Sequence, residues 1–215
     1  MSSEFLSSIE QNLKVPLFTD DDLKLVFRNK ETSAIYNSLT YHLKNRNLER
    51  FRRGLYSLSS KNGGHYTFSK FKLANKLVLQ SFISFESALS HHGLIPEAVY
   101  EVTSACLNKN VVFKNSLGTF SFSHSPIGPF YLGVEKDKMT DAKIANPVRA
   151  LFDLIYIRRK LFEKAEDLED DFRIDLNELQ KILSHFKPGE ILEIGNIYKK
   201  KTTRKLATIL VRDLM

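Results

Sequence analysis

The chain has one cysteine, no tryptophan, nine glycines and six prolines among 215 residues. The single thiol, Cys106, cannot close an internal disulfide, and this suits a reducing compartment. Sparse glycine and proline, beside 42% hydrophobic residues, argue against a low-complexity chain and predict a packed core. No apolar run approaches the ~18 residues that a membrane span needs. The opening MSSEFLSSIEQ has neither the basic nor the apolar region of a secretory signal. These absences together predict a cytoplasmic protein with no membrane partner. A glycine-rich phosphate loop and a G-x-S-x-G elbow are also missing.

What the chain has in excess is positive charge, a formal +7. It is unevenly placed. From Lys44 to Lys76 the basic residues are Lys44, Arg46, Arg50, Arg52, Arg53, Lys61, Lys70, Lys72 and Lys76, against Glu49 alone. A second basic cluster, Lys199 to Lys205, follows an acidic run from Glu163 to Asp171. Each cluster taken alone reads equally as a solvated surface, so the surrounding elements must decide what the charge is for.

Residues 2–12 carry Phe5 and Ile9 at helical spacing, with Leu13 next in the series. In LFTDDDLKLVF, Thr19 is an N-cap with Asp22 as its capping-box partner, and Phe18 and Leu23 are placed for a hydrophobic staple. The three aspartates of this first turn suit the helix dipole and predict that this end faces away from phosphate. A third helix, ETSAIYNSLTYHLKNRN, buries Ile35, Leu39 and Leu43 and turns Ser33, Asn37, Thr40, Tyr41 and Lys44 outward. These are side chains that reach base edges and phosphates. LERFRRGLYSL then reads as a hairpin whose tip, Arg52-Arg53-Gly54, is basic where a merely solvated turn would take Asn-Gly or Asp-Gly. Three helices followed by a basic hairpin predict a winged helix-turn-helix, with the third helix in the major groove and Arg50, Arg52 and Arg53 on the flanking backbone or minor groove. The plainer alternative is a small helical unit with a solvated hairpin.

Lys61-Asn62-Gly63-Gly64 signals a turn or linker. The expected organisation is a winged helix-turn-helix over residues 1–60, a linker region over 61–76, and an α+β domain over 77–215 ending in a helical tail. In that domain Ser84 caps a short helix that Gly93 stops, and VYEVTSACL, NVVFKN, GTFSFSHS and GPFYLGVE read as strands of an antiparallel meander. ANPVRALFDLIYIRRKLF reads as a helix with Pro147 near its first turn; further helices follow in DLNELQKILSHF and between Ile191 and Met215.

Several residues invite chemistry. His91-His92 lacks companions at zinc-ligand spacing, and a helix-end role before Gly93 is preferred. Cys106 lies in an apolar strand and reads as an inert buried thiol. Asp141-Ala142-Lys143, near Glu135 and Asp137, has the D-x-K form of some nuclease sites, but a polar turn before the Pro147 helix is the stronger reading. Arg149 and Asp153, four apart on that helix, are expected to form a surface pair, the alternative being a functional face in the second domain. No catalytic residue, metal or cofactor is assigned.

The stretches KLANKLVLQSFISFESALSHHGLIPEAVYEVTSA, FKNSLGTFSFSHSP and KIANPVRALFDLIY, behind the RRGLYSL hairpin, resemble the AbiEi family of antitoxins. The resemblance runs from about Thr19 to Tyr156, and the tail after Lys160 lies outside it. It implies a bacterial type IV toxin–antitoxin system linked to abortive infection and phage defence. It also implies a non-enzymatic transcriptional repressor that binds double-stranded DNA at its own promoter and counteracts a nucleotidyltransferase-type toxin, with or without direct contact. The competing readings are a metal-dependent nucleic-acid enzyme targeted by a winged helix, which would depend on Asp141, and a DNA-binding regulator without a toxin.

Overall fold

Helix α1 (Ser2–Asn12) turns Phe5 and Ile9 inward, and both are buried. Strand β1 (Phe18–Thr19) leads directly into helix α2 (Asp20–Val26). The expected capping box forms at this junction. The Thr19 amide and hydroxyl donate to Asp22 Oδ2 at 2.7 and 2.8 Å, and Thr19 Oγ1 accepts from the Asp22 amide at 3.3 Å. Phe18 and Leu23 pack into one small core with Phe5, Phe27, Ile35 and Leu39, as the staple requires. Helix α3 (Thr32–Lys44) is followed by the hairpin of β2 (Leu48–Arg52) and β3 (Leu55–Leu58). The small sheet is antiparallel in the order β1-β3-β2. This computed structural model describes residues 2–59, 68–96, 100–125 and 127–215. The turn read at Lys61 to Gly64 lies outside them.

A larger core begins at helix α4 (Lys70–Leu77), whose cap is Ser69 and whose Leu73, Ala74 and Leu77 are buried. Of the interval 61–76, then, the part from Lys70 onward is helix packed on the second unit. Next come strand β4 (Ser81–Ile83), helix α5 (Phe85–His91), and strands β5 (Glu101–Cys106), β6 (Val111–Asn115), β7 (Gly118–His124), β8 (Val134–Asp137) and β9 (Ala142–Ala145). They form one six-stranded sheet in the order β6-β7-β5-β4-β9-β8. The expected antiparallel meander is corrected here: β5 runs parallel to β7, and β4 parallel to β9. The β6–β7 hairpin folds back so that β7, not β6, lies beside β5. GPFYLGVE is not one strand either, since only its Val134–Glu135 end joins the sheet.

Helix α6 (Pro147–Arg158) packs against α5, and four helices follow: α7 (Glu166–Phe172), α8 (Leu176–Leu183), α9 (Pro188–Ile197) and α10 (Lys201–Leu214). The α9–α10 pair rests on α6. The architecture is α+β with a mixed sheet. The two units share contacts: Leu17, Phe51 and Leu55 join the larger core, and Ser116 at the β6–β7 turn donates to Glu49 of β2. The hairpin strand β2 is thereby held against the large sheet. No described helix is long and apolar enough to cross a membrane.

Candidate nucleic-acid interface

Helix α3 is amphipathic in the way its sequence demands. Ile35 and Leu39 face the small core, and His42 joins them, its ring stacked on Phe5 at 5.2 Å and within 3.0 Å of the Asn47 amide. The outer face carries Ser33, Asn37, Thr40, Tyr41 and Lys44, all exposed. Across from it stands the hairpin tip. Gly54 has φ +76°, a conformation that L side chains rarely adopt, and this lets the chain reverse within Arg53-Gly54. Arg50 and Arg53 are exposed; Arg52 is half-buried and curls back to donate to the Arg53 carbonyl at 2.8 Å.

A concavity of about 540 Å³ separates helix from hairpin. The structure brings Thr40, Arg50, Arg52 and Arg53 together on its walls. Ser33, Asn37, Tyr41 and Lys44 lie outside that lining, on the solvent face of α3. Tyr36, Asp20, Phe51 and Tyr56 also line it and were not anticipated. Tyr36 sits one helical turn before Thr40, a spacing that could have revealed it. Asp20 brings the acidic start of α2 beside the basic tip. Its Oδ2 lies 3.2 Å from where a Cβ on Gly54 would stand. Tyr56 beside it has its hydroxyl pKa raised, first by burial and then by the Asp20 carboxylate. With three arginines against Asp20, the concavity keeps an excess of positive charge.

The other sequence candidates find structural roles. His92 Nε2 lies 2.9 Å from the Ala145 carbonyl, and burial lowers its pKa. His91, at the end of α5, approaches Asp137 at 3.4 Å. Cys106 is buried, which raises its thiol pKa. Asp141, in the β8–β9 turn, is gripped by Lys72 and Lys136 rather than by other carboxylates. Among the described residues, no three His, Cys, Asp or Glu side chains converge as a metal site.

Arg149 and Asp153 are the clearest departure from expectation. They are not a surface pair, since their side chains are 2% and 1% exposed. Arg149 Nε bonds both Asp153 oxygens at 3.1 Å, and Nη1 donates to the carbonyls of Phe130 and Leu132 at 3.2 and 2.7 Å. Asp153 also accepts from Ser84 at 2.7 Å and from Tyr198 at 2.8 Å. The network ties α6 to the start of α5, to the Phe130–Leu132 turn and to the end of α9. Compared with known proteins, the chain matches no family model and no curated sequence.

Proposed function

We propose that the protein is a DNA-binding transcriptional repressor of its own promoter, acting without catalysis as the antitoxin of a type IV toxin–antitoxin system. The observation that carries the DNA reading is the concavity flanked by the α3 face and lined by Arg50, Arg52 and Arg53. Helix, strand, helix, helix and hairpin, in that order, support a winged helix-turn-helix over residues 2–59. In this reading Asn37 and Tyr41 approach base edges, while Lys44, Arg50, Arg52 and Arg53 neutralise phosphates.

The antitoxin half of the proposal rests on the family resemblance of the stretches around SALSHHGLIP and IANPVRALFDL. A nucleotidyltransferase-type toxin is the functional partner, and coexpression of this chain should relieve its toxicity. If it does not, the reading narrows to a DNA-binding regulator. The enzyme alternative is disfavoured by Asp141, whose carboxylate is committed to two lysines.

The test of the interface is the double variant Arg52→Ala/Arg53→Ala on promoter DNA. Two lost phosphate contacts should weaken binding to all sequences and lower the slope of log K against log salt by about 2. Asn37→Ala should instead change which sequences are preferred. Promoter binding by the double variant equal to wild type would show that the hairpin does not touch DNA.

A further inference from the structure

A second cleft, of about 590 Å³, lies where the two units meet. The α1–β1 connector supplies Val15, Pro16 and Leu17, helix α4 supplies Lys72, Asn75 and Lys76, and the β8–β9 hairpin supplies Lys136, Asp141 and Lys143. Its volume is in the range of small-molecule sites, which favour such junctions.

Lys72, Lys76, Lys136 and Lys143 line the cleft, against Asp22 and Asp141. Asp22 is occupied by the Thr19 cap. Among the described lining residues Asp141 is then the carboxylate left to the cations, and Lys72 and Lys136 share it. Two ammoniums held on one small anion form a seat that a phosphate, with more charge and more acceptor oxygens, can occupy. Asn75 also lines the cleft. Its Oδ1 accepts from the Lys143 amide at 2.6 Å, which fixes the orientation of the group. Its Nδ2 is then left buried and without a hydrogen-bond partner among the described residues. Beside this polar end are Val15 and Leu79, 52% and 69% exposed, which leave an apolar surface uncovered.

We propose that this cleft binds a small phosphate monoester carrying an apolar or aromatic body, of the nucleoside monophosphate class. The phosphate takes the place of Asp141 between Lys72 and Lys136, and the body lies against Val15 and Leu79. The site is separate from the hairpin concavity and does not depend on the DNA reading.

The test is calorimetric titration of the full chain with 5′-AMP, 5′-GMP, 5′-CMP and 5′-UMP. Adenosine and inorganic phosphate serve as the two halves of the ligand. At least one nucleotide should saturate, with each half binding on the order of tenfold more weakly. Lys72→Gln/Lys136→Gln should weaken nucleotide binding by roughly tenfold or more, whereas Asp141→Asn, which removes the competing carboxylate, should tighten it. Arg52→Ala/Arg53→Ala should leave it unchanged. Absence of saturable binding by all four nucleotides at millimolar concentration would overturn the proposal. So would unaltered affinity in the lysine variant, or displacement of the nucleotide by duplex DNA, which would give these lysines to a nucleic-acid backbone.

Discussion

Arg149 shows how much a single side chain can organise from inside a core. Its guanidinium reaches Asp153 and two turn carbonyls and lies 5.0 Å from the Phe82 ring centroid. Arg149→Ala strands the Asp153 carboxylate in a buried site and should cost about 3–5 kcal/mol, read as a lower urea midpoint. Replacing both charges with apolar residues of similar volume should cost much less, because no unpaired charge remains. Asp141 makes the opposite kind of pair, open to solvent. Its two lysines lower its pKa from 3.8 to about 2. A carboxylate depressed in the folded state stabilises above its unfolded pKa, and the contribution is lost as pH falls through about 2. Its carboxyl carbon signal should therefore titrate near pH 2, and Lys136→Met should move the midpoint upward. The outward residues of α3 were legible because the apolar period leaves them one face. The burial of Arg149 and Asp153 was not legible from their spacing, since the same i,i+4 pattern marks exposed pairs. The clue was their setting: between Pro147 and Ile157 they are the only charged residues.

At the scale of elements, the sequence revealed those with strong local signals. Helix α1, the Thr19 cap, the β2–β3 hairpin and the Pro147 start of α6 all express nearby residues. Strands β4 and β9 escaped because they are only 3 and 4 residues long and lack clean alternation. Sheet order escaped for a different reason. The parallel pairing of β5 with β7 joins segments separated by a whole hairpin, and period-two patterning says nothing about which neighbour a strand takes. The tail packs as tightly as the rest. At Gly195 of α9, a Cβ would stand 2.6 Å from Ala207 Cβ and 2.9 Å from the Thr203 carbonyl on α10. Gly195→Ala must therefore push the two helices apart, with an expected loss of about 1–3 kcal/mol and a lower Tm. An unchanged Tm would show that α10 shifts freely on α9.

For the whole molecule, the formal +7 is divided rather than spread. Part of the second basic cluster is spent within the fold: Lys205 pairs with Glu163, at the edge of the acidic run. Among the described residues that line the concavity, Asp20 is the one carboxylate beside the hairpin arginines, and the Glu49–Ser116 contact holds their strand against the large sheet. In the proposed function, this anchored basic hairpin and the exposed helix face beside it would grip a polyanion in a fixed orientation. The most direct measurement is binding of the full chain to the DNA upstream of its own gene, across a salt series, beside scrambled DNA of equal length. We expect preference for the upstream fragment and an affinity that falls steeply as salt rises. Equal affinity for both fragments at every salt concentration would contradict it, leaving a basic surface that attracts any polyanion.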